Sequence, residues 1–220
     1  MKWILGTLAV LAMLLIGTMI SLPFVVSSET VRNGIITTIQ DLTGRTVSFS
    51  GDPAVTINPF LGIEITNLII EDEKSGDSAI PLLNVERMQA KLDLLPALIG
   101  NVTISEYRLI RPQLNLRVYE DGLANWKLEN GFFKDTSEQE VDTEFSDKQL
   151  GTIFIEDGKI IYEDSIAGEI EEITNLEATF KWPTINSELN TKGNAILRGE
   201  NIDFTAEINS PFELFGGGLS

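Results

Sequence analysis

The chain has 220 residues, 33 acidic against 16 basic side chains, no histidine and no cysteine, and a formal net charge of −17 at pH 7. The two absences exclude Ser-His-Asp and Cys-His nucleophile pairs, Cys/His zinc sites, histidine-ligated haem and any disulfide framework. The acidity argues against nucleic-acid binding, which needs a basic face, and against a surface drawn electrostatically to anionic headgroups.

No charged residue lies between Lys2 and Glu29. Residues 3–26 form a mostly apolar run longer than the ~20 residues a helix needs to cross a bilayer. A cleaved secretory signal has an apolar region of about 7–15 residues and a small-residue cleavage site. The corresponding place here, before Ser27 and Ser28, carries the bulky Val26. A buried soluble helix fits poorly, because the run is apolar all round rather than along one stripe. The run reads as an uncleaved anchor. Lys2 on the short side and Glu29 on the other orient it with a cytoplasmic N-terminus and export the rest, which in a bacterium means the periplasm. The roughly 190 residues beyond suffice for one substantial core or two small ones.

Ser27 or Ser28 can cap a second helix. Val31, Ile35, Ile39 and Leu42 recur at helical spacing on one face, and Gly44 ends the pattern. The helix reads as a lid over the sheet beneath. The alternative, an interfacial helix, lacks the Lys/Arg-rich polar face that lipid binding favours.

Strand signals follow. Val47 and Phe49 alternate with polar residues. Ile63 and Ile65 do the same, and then the alternation slips to Leu68 and Ile70, which predicts a bulge or bend. Val85, Met88, Ala90 and Leu92 make a looser run. Val102 with Ile104, Leu114 with Leu116 and Val118, Ile153 with Ile155, and Ile160 with Tyr162 share faces. The cleanest alternation is Ile202, Phe204, Ala206 and Ile208 against Asp203, Thr205 and Glu207. A period of two gives one apolar and one wet face, the habit of antiparallel sheets. Asp121-Gly122 and Asp157-Gly158 read as hairpin dipeptides, and residues 94–99 as a short helical turn. Residues 130–148 are crowded with acids, among them Asp135, Glu138, Glu140, Asp142, Glu144 and Asp147, a composition that orders poorly and holds no ligand site.

Acidic clusters are the remaining catalytic currency. Glu71-Asp72-Glu73 and Glu169, Glu171 and Glu172 read as solvated turns, and no stretch has the spacing of a calcium loop. Asn101-Val102-Thr103 matches a glycosylation acceptor, read here as chance. No enzyme, metal or cofactor is expected. The apolar strand faces need a cover: either two sheets close on each other as a sandwich, or one long sheet curls and leaves an apolar trough.

A series of short motifs follows the anchor: Leu42-Thr43-Gly44-Arg45-Thr46-Val47, Asn58-Pro59-Phe60-Leu61-Gly62-Ile63, Thr66-Asn67-Leu68 and Pro81-Leu82-Leu83. It continues with Leu94-Leu95-Pro96-Ala97-Leu98-Ile99-Gly100, Val102-Thr103-Ile104, Arg111-Pro112-Gln113-Leu114-Asn115-Leu116 and Asp121-Gly122-Leu123-Ala124-Asn125-Trp126. Ile155-Glu156-Asp157-Gly158-Lys159-Ile160-Ile161-Tyr162 closes the series. In this order the motifs resemble the N-terminal region of the AsmA family of bacterial envelope proteins. Pro59 and Pro112 read as strand starts, and Trp126 as part of the strand after a tight turn.

The resemblance implies a curled antiparallel sheet forming an apolar groove, akin to chorein-type lipid-transfer proteins, with short amphipathic helices at its membrane end. It implies phospholipid movement between inner and outer membranes and outer-membrane assembly, and it carries no catalytic residues. Members are normally longer, so the Gly-rich end reads as that of an N-terminal fragment.

The resulting expectation is a mainly β protein with a transmembrane anchor at 1–28, a β domain at 29–130, an acidic linker at 131–149 and a second β segment at 150–220. It is single-pass in the bacterial inner membrane through residues 3–26. Ile153, Ile155, Ile202, Phe204 and Ile208 are expected to face the lipid groove. The expected partners are phospholipid and envelope assembly proteins. The alternative is an anchored β-sandwich assembly module without a lipid site.

Overall fold

The computed structural model describes residues 28–56, 60–72, 80–93, 104–127, 151–184, 187–209 and 211. The apolar run of residues 3–26, the helical turn at 94–99, Pro59, the site at Asn101 and the acidic stretch at 130–148 lie outside them. Among the described residues no helix is long and apolar enough to cross a membrane.

Helix α1 spans Ser28–Thr43. Ile35, Ile36 and Ile39 pack against the buried cluster that contains Val47 and Phe49. Gly44 takes φ 66° and turns the chain out of the helix, its N–H reaching the Gln40 carbonyl at 2.6 Å. Arg32 donates to the carbonyls of Gly51 (2.5 Å) and Phe49 (2.8 Å) and lies 4.5 Å over the Phe49 ring. The helix thus runs back along β1, as the lid reading expects.

Eight strands follow: β1 (Val47–Thr56), β2 (Gly62–Ile70), β3 (Leu83–Leu92), β4 (Ile104–Val118), β5 (Thr152–Asp164), β6 (Glu169–Lys181), β7 (Leu189–Leu197) and β8 (Glu200–Ile208). They form one curled, unclosed sheet in the order β1 to β8. The described residues hold one sheet, not the two packed layers of a sandwich. The strands on either side of residues 128–150 are therefore joined edge to edge.

The all-antiparallel expectation fails at that joint, where β4 and β5 run parallel, Glu106 opposite Thr152 through Val118 opposite Asp164. A parallel neighbour needs a crossover of a dozen or more residues, and the connection of residues 119–151 is the longest between the described strands.

A one-residue slip crosses the sheet. Asn67, Arg111, Asp157 and Asn175 have left-handed φ of 49°, 50°, 51° and 50°. Asn67 falls between the pairs Thr66–Arg87 and Leu68–Val85, level with Glu86. Glu86 falls between Val85–Pro112 and Arg87–Ile110, level with Arg111. Arg111 is level with Asp157. In β2 to β5 the apolar series therefore changes parity at one line, Ile65 to Leu68, Val85 to Met88, Leu109 to Pro112 and Ile155 to Gly158, and in β6 one pair further on, Ile173 to Leu176. The extra residues are all exposed on the polar face, and Glu86 and Arg111 are ion-paired along the line.

This crease revises two readings. Asp157-Gly158 is not a hairpin but the slip in mid-β5. A Cβ on Gly158 would stand 2.7 Å from Ile155 Cγ2 and 3.3 Å from Leu176 Cβ, so only glycine fits. Pro112 is not a strand start. It lies buried in mid-β4 beside Arg111, where the slip tolerates a missing N–H.

A β-branched residue at a left-handed position is strained, whereas glycine is not. Asn175→Val should cost about 1–2 kcal/mol, with Asn175→Gly within about 0.5 kcal/mol of wild type. Urea unfolding followed by circular dichroism measures both, and equal stability of the two variants would disprove the crease.

Candidate functional site

The strand ladder shows which side chains share the apolar face. Val85, Leu68 and Pro112 are level, as are Leu83, Ile70 and Leu114. Leu114 aligns with Ile160, and Ile160 with Ile173. In the later strands Ile153 pairs with Phe180 and Ile155 with Ala178. Ala178 pairs with Gly193, and Gly193 with Phe204. Ile202 pairs with Ala195 and Ile208 with Leu189. All five residues assigned to the groove from sequence therefore stand on this one face, each half-buried.

The face is treated differently at its two ends. Around β1 to β3, α1 packs on it, and Val47, Phe49, Ile65, Leu68 and Val85 are buried. Around β5 to β8 no described helix packs against it. Leu176, Ala178 and Ala195 are buried there by their own neighbours Ile155, Ile173, Ile202 and Phe204. Phe204 lies across Gly193, where an added Cβ would meet its ring at 2.7 Å. Glycine at this position lets the aromatic ring cover the strand.

A hollow of about 260 Å³ opens on the same face at the turn end of β5 to β7, lined by Ile160, Tyr162, Glu171, Ile173, Leu197 and Arg198. Tyr162 has Trp126 beside it, ring centres 6.1 Å apart. Leu123, Trp126 and Ile166 are exposed at this end of the sheet. Arg198 and Gly199 make the two-residue β7–β8 turn, both at positive φ (52° and 81°), and Arg198 returns to grip Glu171 with two guanidinium nitrogens. That grip holds the Glu171 carboxyl below its ordinary range. Asp164 is held low chiefly by the backbone N–H of Ala167, which with Ile166 closes the β5–β6 turn on its carboxylate. Glu169, Glu171 and Glu172 are thus strand residues of β6 rather than a solvated turn.

A buried polar network closes the first half of the sheet. Asn125 is 3% exposed. Its carboxamide donates to Asp72 and to the Asn115 carbonyl (both 2.8 Å) and accepts from the Arg117 N–H (2.8 Å). Its own carbonyl accepts from Arg45 at 2.5 Å. Tyr119 donates to Asp72 at 2.5 Å. Asp72 is therefore buried, not a solvated turn residue, because its partners replace water. The network pins the loop that carries Trp126, which lies in a turn rather than in a strand.

The opposite face is polar and laced with cross-strand ion pairs: Arg87–Glu64, Lys91–Glu106, Arg108–Glu156, Arg117–Glu163 and Lys159–Glu172. A hollow of about 470 Å³ on this side carries Glu156, Glu177, Lys192 and Asp203. Glu156 is engaged by Arg108, and Glu177 accepts the Asp157 N–H at 2.8 Å. No group of metal-ligating side chains occurs among the described residues.

The fold and this face define an open, single-layer β protein with one continuous apolar surface. The AsmA family model matches residues 1–217, and the chain belongs to the AsmA family. That membership is consistent with an envelope-related function. No curated protein matches the sequence.

The sequence reading did not find Arg198, Glu171, Asn125 or Asp72 as a set. Arg198-Gly199 between two alternating runs was an available hairpin signal. The contacts of Asp72 span 47 and 53 positions and left no local trace.

Two outcomes follow from the network. Asn125→Ala leaves Asp72 and the Arg117 N–H short of partners and should cost about 2–4 kcal/mol in urea unfolding; a loss below ~0.5 kcal/mol would contradict it. Burial and then the bond to Asp72 push the Tyr119 hydroxyl up to about 12. Burial also raises Tyr107 and Tyr162, the other two of the chain's three tyrosines. A raised folded pKa contributes stability that is complete below the unfolded value of about 10 and is lost as pH climbs toward 12. Phenolate absorbance of the folded chain should rise at higher pH than in urea, and coincident titrations would refute this.

Proposed function

We propose that this protein is a non-enzymatic lipid-handling protein, anchored through residues 3–26 in the bacterial inner membrane with its sheet in the periplasm. In this reading it contributes to phospholipid transport between inner and outer membranes and to outer-membrane assembly, together with envelope assembly proteins. One observation carries the reading: an unclosed eight-stranded sheet has one apolar face, and beyond α1 no described layer covers it. Large uncovered apolar surfaces are rare unless something binds them.

The mechanism is passive. Acyl chains lie along β5 to β8 while headgroups stay in water, so the barrier to leaving a bilayer falls without chemistry. Each buried CH₂ contributes about 0.8 kcal/mol, and no contact is directional, so a chain is held in sum yet can slide. α1 supports the placement: its start lies beside the middle of β1, and its end and the 260 Å³ hollow lie toward the other end of the strands.

The test is photo-crosslinking in cells from Ile153, Ile155, Ile202, Phe204 and Ile208. These positions should trap phospholipid, whereas Asp203 and Thr205 on the opposite face should not. Equal labelling of both sets would sink the proposal.

A further inference from the structure

We infer that the hollow at the turn end of β5 to β7 is a headgroup clamp for a zwitterionic phospholipid, with Arg198 taking the phosphate and Glu171, flanked by Glu169, the ammonium. The inference rests on the lipid-handling reading above and assigns its substrate class.

Position is the first argument. The other described ion pairs lie on the polar face, as their ladder positions show. Glu171 is level with Tyr162 and two residues from Ile173, so its pair with Arg198 borders the apolar face. The walls are Ile160, Tyr162, Ile173 and Leu197, and the charged pair stands at the rim. At about 260 Å³ the hollow is below the ~300–1,000 Å³ of sites that enclose a whole small ligand. It suits the upper part of one acyl chain, with the rest of the lipid on the trough.

Backbone strain is the second argument. Two-residue turns with both residues at positive φ favour Asn, Asp or Gly at the first place. Arg198 occupies it at φ 52°. Its side chain is 75% exposed, and exposed ion pairs contribute little to stability. Arg111 takes the same conformation with an exposed partner on the polar face, so what sets Arg198 apart is that its strained position stands at the rim of an apolar hollow.

Charge is the third. Glu169 faces Asp164 across the strand pair, and Glu200 faces Leu197. One guanidinium therefore sits among carboxylates. A guanidinium receives a phosphodiester through two parallel hydrogen bonds, and the carboxylates receive an ammonium. A headgroup with phosphate and no amine meets a rim that is negative on balance. Trp126 beside Tyr162 adds the amphipathic ring typical of headgroup depth.

The test uses the full-length chain in mixed micelles containing equal amounts of phosphatidylethanolamine, phosphatidylglycerol and diacylglycerol with identical acyl chains. Lipid retained on the purified protein is quantified by mass spectrometry. Wild type should retain phosphatidylethanolamine at least threefold over each of the others. Arg198→Asn, which suits the left-handed turn and should melt no lower than wild type, should lower the ratio of phospholipid to diacylglycerol at least threefold. Glu171→Gln combined with Glu169→Gln should lower the phosphatidylethanolamine to phosphatidylglycerol ratio by a similar factor. Wild-type ratios in both variants would overturn the clamp and leave the groove standing. Absence of retained lipid from the wild type would overturn the lipid-handling reading itself, and the clamp with it.

Discussion

The period of two along a β-strand is the constraint on which the rest of this molecule depends. Strands paired one to one keep a single apolar face through a change of direction only if they change parity together. β2 to β5 do so at one level and β6 one pair further on, and register shifts at β1–β2 and β6–β7 join them to strands that keep a single parity. Four of the five extra residues take left-handed φ, and three of those are Asn or Asp, which tolerate it best. The crease is a property of the sheet as a whole, and it keeps the surface from Val47 to Ile208 continuous.

A single layer also needs something in place of a second one. In the first half that role falls to α1 and to the network around Asn125, whose carboxamide and carbonyl engage Asp72, Asn115, Arg117 and Arg45. In the second half it falls to large side chains lying across small ones, as Phe204 lies over Gly193, and to ion pairs linking neighbouring strands on the far side. Exposed pairs of that kind are individually weak. Their repetition along the ladder favours the correct register, since a one-residue slip would separate each of them.

Much of this was legible in the sequence because it is local. The slip from Ile65 to Leu68, the Ile35 and Ile39 stripe and the alternation of Ile202, Phe204 and Ile208 all follow from a side chain's relation to neighbours within a few residues. The parallel joint was not legible, because β4 and β5 alternate much as antiparallel strands do and only their partners differ. Asp157-Gly158 misled because the same dipeptide chemistry, a left-handed residue followed by a glycine, serves a mid-strand bulge as well as a hairpin. Asp72 and Arg198 were missed for one shared reason: their partners lie 53 and 27 positions away, respectively, and composition around a residue says nothing of contacts at that range.

An apolar face open to water is also an aggregation hazard, and the charge of the chain bears on how it is contained. A net charge of −17 repels copies of the chain from one another. Asp203 and Glu207 place like charge along β8, the last strand of the described sheet, which discourages edge-to-edge pairing. The same negative charge weakens adhesion of the outer surface to anionic membranes. Under the proposed lipid-handling role, lipid is left with one favourable approach, along the apolar face itself. Acidity that excludes so many functions by composition is, for an open sheet, the condition under which a greasy surface can remain available.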